Sequence, residues 1–262
     1  MKTFVLGDIH GNFKALQQCF ERSGVDKETD RIIFLGDVVD GWSETYECVD
    51  LLLSCKNLVA IKGNHDDWWS TFLATGTHPA EFHHGGKATL ESYSKHYEQV
   101  EYEGRFYNRI PELHHEFFNN QLPYFLDTDG TLYVHGGFNR HYTLEEQPSP
   151  DIFWWDRDLI MQALSVVTIE DTRYQKLNIK DTRIKRVFIG HTATILWKNK
   201  EDISETEPKG SVMTRPIIAS KVINVDTGAG FKGKLTIMNV ETLEYWQSDR
   251  CDLLYPDERG RN

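Results

Sequence analysis

The stretch Phe4 Val5 Leu6 Gly7 Asp8 Ile9 His10 Gly11 decides the fold, because a short apolar run ending in Gly-Asp reads as a buried strand entering a tight polar turn. Phe13, Leu16 and Phe20 follow at helical spacing, and the next apolar run, Arg31 to Leu35, ends in Gly36 Asp37 Val38 Val39 Asp40. A helix is expected from about Ser43 to Leu53, and a third strand, Leu58 to Ile61, leads to Gly63 Asn64 His65 Asp66. This is the βαβ rhythm of a parallel sheet. In open α/β sheets ligands gather outside the carboxyl ends of the strands, so the three polar turns are expected to meet at one site.

Working outward, the rhythm stops between Trp68 and Gln121, a segment rich in aromatics that holds His78, His83, His84, His96, His114 and His115. It reads as a mostly helical cap, residues 68–121, inserted in a single domain of residues 1–262. Neighbouring residues on a helix face different ways, so the pairs His83 His84 and His114 His115 do not present two ligands to one ion. Trp68, Trp69, Phe72, Tyr93 and Tyr97 have the spacing of one packed helical face. Strands return at Thr131 to Val134, Arg186 to Ile189, Lys221 to Val225 and Lys234 to Val240, and these four are expected to form a second sheet. Asn199 to Gly210, charged and poor in apolar residues, is expected to be a mobile surface loop.

The formal charge of −11 opposes binding to a phosphate backbone, and no Lys/Arg run suits a polyanion groove, so nucleic acid is not an expected partner. The amino terminus reaches Gly7 and Asp8 before a signal peptide could develop, and no apolar run approaches the roughly 20 residues that span a bilayer. A cytoplasmic chain with no membrane association is expected. Cys19, Cys48, Cys55 and Cys251 lack metal-ligand spacing and read as reduced, packed thiols.

Two further motifs follow apolar strands, His135 Gly136 Gly137 and Gly190 His191 Thr192. Any one of the five is an ordinary turn or cap. Five strand ends that each deliver an oxygen or imidazole, beside a glycine that admits close backbone approach, are what a dinuclear metal site requires. In these motifs the chain resembles the calcineurin-like metallophosphoesterases, in particular the phosphoprotein phosphatase branch that contains bacterial and phage Ser/Thr phosphatases and symmetrical dinucleoside tetraphosphatases. The resemblance extends to Val225 Asp226 Thr227 Gly228 and to Gly85 Gly86 Lys87 Ala88 Thr89 Leu90 Glu91 Ser92 Tyr93, which is similar to the NGGxxTLxSY segment of bacterial members with His84 in place of Asn.

That resemblance implies an α/β fold, a four-layer αββα sandwich of two mixed sheets flanked by helices. It implies that Asp8 and His10 bind one divalent ion, that Asn64, His135 and His191 bind a second, and that Asp37 bridges them. A carboxylate can span cations roughly 3.5 to 4 Å apart, and mixed nitrogen and oxygen ligands suit manganese first, with iron, zinc or nickel as alternatives. The implied reaction is direct in-line attack of a metal-bridging hydroxide on phosphorus. His65 would protonate the leaving oxygen, with Asp40 orienting its ring and favouring imidazolium; the plainer reading is that His65 caps a helix. Asp66 reads as a structural residue of that helix's first turn.

Relatives read GDxVDRG, whereas this chain has Asp40 Gly41 Trp42, so one phosphate-gripping arginine is missing. Arg157 is the best candidate for a second, with Arg140 behind it and Asn64 also facing the phosphate; an ion pair with Asp156 or Asp158 is the plainer role of Arg157. The expected substrate is a phosphorylated protein or small phosphorylated molecule, hydrolysed as by a Ser/Thr protein phosphatase. A dinucleoside polyphosphate or nucleotide hydrolase is the alternative, and a non-catalytic metal-binding scaffold a third reading.

Overall fold

Strand β1 (Thr3–Leu6) is buried along its whole length, and its side chains divide between two cores. Phe4 and Leu6 enter one apolar cluster and Val5 another, as the two-residue period of a strand requires. Helix α1 (Phe13–Ser23) starts where the Asn12 side chain accepts the Ala15 amide, and it lays Ala15, Leu16, Cys19 and Phe20 on the Phe4 side. In β2 (Arg31–Phe34), Ile32 and Phe34 face the helices while Ile33 turns to the opposite core. After α2 (Thr45–Leu53), β3 (Asn57–Ala60) completes a parallel β1–β2–β3 ladder. Strands apolar on both faces must be covered on both. The computed structural model describes residues 1–96, 99–102, 105–108, 110–168, 177–200 and 208–261.

The expected cap contains α3 (Asn64–Thr75), α4 (Gly86–Ser94), the hairpin β4 (Gln99–Tyr102) and β5 (Arg105–Asn108), and α5 (Glu112–Asn119). It is mostly helical, with the hairpin in addition. Trp69, Phe72 and Tyr93 pack in the helix-side core, the Trp69 and Tyr93 rings stacking at 5.5 Å, and Tyr97 lies outside the described residues. His114 is an internal strut, bonded through Nδ1 to the Tyr93 hydroxyl and through Nε2 to Asp50.

The second sheet joins β6 (Tyr124–Leu126), β7 (Thr131–Val134), β8 (Arg186–Ile189), β9 (Ile217–Ala219) and β10 (Val222–Asn224) in the order β6-β7-β8-β10-β9. Helices α6 (Ile152–Trp155) and α7 (Asp158–Thr168) supply residues to the core on its outer face, including Phe153, Leu159, Ile160 and Ala163. Its inner face sends Tyr133, Phe188 and Ile223 against Val5 and Ile33, with the Tyr133 and Phe188 rings stacked at 5.5 Å.

The expected fourth strand of this sheet belongs elsewhere. Strand β11 (Thr236–Asn239) pairs antiparallel with β1, and β12 (Tyr245–Gln247) pairs with β11, giving a first sheet ordered β12-β11-β1-β2-β3. An apolar run does not encode which edge it joins. Here Ile237 and Met238 match the two cores flanking β1, and pairing at that edge satisfies its backbone groups. Short α8 (Cys251–Leu254) follows. The result is the αββα sandwich of two mixed sheets. Residues 201–207 of the expected Asn199 to Gly210 loop lie outside the described residues, and all four cysteines are buried and unpaired. Among the described residues no helix is long and apolar enough to cross a membrane.

Candidate metal centre

The turns after β1, β2 and β8 carry backbone that non-glycine residues rarely adopt: φ is +53° at His10, +61° at Asp37, +62° at Asp40 and +65° at His191. Such conformations cost about 1–3 kcal/mol each and concentrate where side chains must be aimed. Gly63 is required by a neighbour, because a Cβ there would lie 2.1 Å from Asp37 Oδ1.

These turns bring the candidate ligands together. Asp37 Oδ2 lies 3.6 Å from His10 Nε2 and 3.3 Å from His135 Nε2. Ligand atoms of Asp8, His10 and Asp37 lie within 4.8 Å of one another, as do those of Asp37, His135 and His191, so Asp37 is common to both sets. Asn64 Oδ1 is 3.2 Å from His135 Nε2. His10 and His135 are held through Nδ1 by the carbonyls of Val39 at 2.9 Å and Leu35 at 2.8 Å, which turns both Nε2 atoms inward. Asp8 accepts the His191 amide.

The donor set fits a pair of divalent cations. His191 Nε2 is buried with no hydrogen-bond partner, and Asp8, Asp37 and Asp226 are all buried. Burial, with Asp226 adding repulsion, drives Asp8 well above the usual carboxylate range. Burial also works to raise Asp37, but His135 and His65 outweigh it and hold this carboxylate well below that range. Burial opposes charge on His135, yet Asp37 and Asp8 push its pKa up to about 9. Without ions, a proton on His135 thus balances Asp37, and cations would relieve the remaining repulsion.

His65 and Asp40 stand beside this cluster. His65 Nδ1 is 2.8 Å from Asp40 Oδ2, its Nε2 is buried without a partner, and the His10 ring meets the His65 ring edge-on at 5.1 Å. Thr89, from the Gly85–Tyr93 segment, receives the Asp40 amide at 2.8 Å and reaches Asp40 Oδ1 at 3.2 Å. Burial lowers His65 to about 3 and raises Asp40 to about 7. In the absence of ions, burial thus opposes charge on both members of the pair. His65 also lies in the first turn of α3, its amide donating to Asp37 Oδ1 at 2.9 Å. Asp66 is the structural member: its oxygens accept the amides of Asp37, Val38 and Gly63 and the side-chain amide of Gln121.

The family model for calcineurin-like phosphoesterases matches residues 1–194. The chain belongs to this family. It is similar to the symmetrical bis(5'-nucleosyl)-tetraphosphatase of Coxiella burnetii (strain RSA 493 / Nine Mile phase I), with 30% identity over 94 residues, 36% of this chain and 32% of the relative. The enzyme of the same name from Actinobacillus succinogenes is 36% identical over 70 residues, 25% of this chain and 24% of the relative. The chain thus spans a third or less of the length of these curated relatives. Among solved structures, a putative diadenosine tetraphosphatase superposes with TM-score 0.56 over 94% of this chain and 92% of its own, at 14% identity. A cold-active protein-tyrosine phosphatase of a Shewanella species gives 0.53 over 95% and 80%, at 15% identity. At such identities the likeness is one of fold.

Around this candidate metal centre, the two candidate arginines separate. Arg157 Nη1 donates to His191 O at 3.1 Å and lies 3.3 Å from Thr192 Oγ1, at the edge of the cluster. Arg140 is not brought there: its guanidinium donates to Gln162 Oε1 at 2.7 Å and Asn178 O at 3.0 Å. Trp68, expected in the core, is only half-buried and lies with its ring 4.7 Å from His65 and 5.3 Å from Trp155, which meets His191 edge-on at 6.2 Å. Sequence reasoning misses both indoles as site residues, although Trp155 stands two places before Arg157. It also misses Arg261, whose Nη1 lies 3.2 Å from His10 Nε2 and which no local pattern marks.

Proposed function

We propose that this chain hydrolyses phosphate monoesters with the aid of two divalent metal ions, in the manner of a Ser/Thr protein phosphatase. The observation that carries the reading is the Asp37 carboxylate set between His10 and His135, with the His65–Asp40 pair alongside. Asp8, His10 and Asp37 would hold one ion, and Asp37, Asn64, His135 and His191 the other; manganese is the first choice for this mixed donor set. When bound, such a pair supplies Lewis acidity and lowers the pKa of water toward neutrality.

The chain's own residues do the rest. Asp40, fixed by Thr89, holds the His65 ring so that its unpartnered Nε2 can pass a proton to the leaving oxygen. Arg157 offers a planar fork to the phosphoryl oxygens. Trp68 and Trp155 form an apolar rim that limits water at the reacting centre.

A second reading, hydrolysis of dinucleoside polyphosphates, is favoured by a cavity of about 750 Å³ beside Gly41 whose lining sets Lys87, Lys95 and Arg259, groups suited to further phosphates, beside Glu91 and Glu258. Manganese-loaded protein assayed in parallel on p-nitrophenyl phosphate, a phosphoserine peptide, a diester analogue and diadenosine tetraphosphate tests both. Faster turnover of the monoesters supports the first reading, and preference for the tetraphosphate the second. Activity on none would remove the enzyme reading.

A further inference from the structure

Position 41 cannot carry the arginine that the resemblance leads one to seek there. Gly41 has φ +149°, a Cβ on it would lie 2.7 Å from the His10 carbonyl oxygen, and its amide donates to Gly85 O. The backbone crossing between the Asp40 turn and the cap thus removes one guanidinium from the phosphate side of the site.

The segment Tyr255–Arg261 crosses the residues that follow Gly41. The Tyr255 ring stacks on Trp42 with centroids 5.1 Å apart, and Ser43 donates to Glu258 through its amide at 3.1 Å and its hydroxyl at 2.7 Å. Gly260 lies against the Trp42 ring. The segment ends with the Arg261 amide on Gly230 O at 2.8 Å, its guanidinium carbon 5.0 Å from the Phe231 ring centre and its Nη1 on His10 Nε2. Arg261 Nε is buried without a partner.

We infer that Arg261 supplies, from a distant part of the chain, the phosphate-gripping guanidinium that position 41 lacks; this rests on the phosphoesterase reading. With His10 Nε2 given over to an ion, Arg261 loses that acceptor, and a phosphoryl group held at the metals offers oxygens in its place. Arg157 stands at the same cluster from the other ligand set, its Nη1 on His191 O at 3.1 Å, while Arg261 stands at His10, the two sets sharing Asp37. Two guanidiniums beside one buried cluster repel each other unless an anion lies between them. Their forks, one from each side, suit a dianionic phosphate.

The test compares wild type, Arg261→Ala and Arg261→Lys as full chains loaded with manganese, measuring the affinity for inorganic phosphate and for manganese by calorimetry and KM and kcat on p-nitrophenyl phosphate. Loss of a charge-assisted contact should weaken phosphate binding about 10- to 100-fold in the alanine variant. Manganese should bind no more weakly, melting temperature should hold, KM should rise, and lysine should restore only part of the phosphate affinity because it lacks the fork. Unchanged phosphate affinity would overturn the inference. Tighter manganese binding by the alanine variant together with unchanged phosphate affinity would make Arg261 a cation standing in for the first ion and would overturn it too. Wild type that hydrolyses esters while Arg261→Ala binds phosphate normally defeats this inference alone; wild type that hydrolyses nothing defeats the function reading instead.

Discussion

At the scale of single residues, the proposed chemistry divides between groups that would hold charge and one pair that would move a proton. Replacing His65 by Asn should leave metal binding intact and slow turnover by about 100- to 10,000-fold, most on alkyl phosphates, whose leaving oxygen needs the proton. Steady-state kinetics over a series of leaving groups measures this, and equal slowing on all of them would mean that His65 serves only in the first turn of α3. Asp40 gives a pH signature. Its folded pKa of about 7 lies above the usual carboxylate value of about 3.9. The stability it contributes is therefore fully present below about pH 4 and is lost as pH rises through 7. In metal-free protein, Asp40→Asn should flatten the fall in melting temperature between pH 5 and 8; an unchanged slope would show that Asp40 is not the group responsible. The clustering of the candidate ligands could be read from sequence because each stands in a turn that follows a strand, where local pattern and position in space coincide. Arg261 could not, since only the folded chain brings it to His10, and Trp68 shares its spacing with true core aromatics such as Trp69.

At the scale of elements, Asp66 ties the start of α3 to the turn after β2. Its carboxylate accepts three backbone amides and the Gln121 side chain, and it is fully buried. Asp66→Ala would strand those amides at about 1–3 kcal/mol each, offset in part by local rearrangement. A loss of several kcal/mol in denaturant unfolding, together with weaker metal binding because Asp37 loses its fixed amide, is the expected outcome. A loss under about 1 kcal/mol would mean that the turn is held by other contacts. Elements of the first half are legible because strand, turn and helix signals alternate at close range. Two features are not. The β4–β5 hairpin is too short to stand out within an aromatic helical segment, and β11 carries an apolar run equally suited to either sheet, so its edge is chosen by the open side of β1.

At the scale of the whole molecule, two sheets pack through Val5, Ile33, Tyr133, Phe188 and Ile223 so that strands from distant parts of the sequence end at one place. The first sheet supplies Asp8, His10, Asp37 and Asn64, and the second supplies His135 and His191. A ligand bound only by the folded state stabilises it by mass action. Ions bridging the two sheets should therefore raise the melting temperature, and chelation should lower it. The most direct measurement is the number of manganese ions retained per chain, determined by elemental analysis after loading and desalting, for wild type and Asp37→Asn. Two per chain in the wild type, with loss of at least one in the variant, is the expected result. A wild type that binds a single ion or none, or an Asp37→Asn variant that keeps both, would contradict a centre bridged by Asp37.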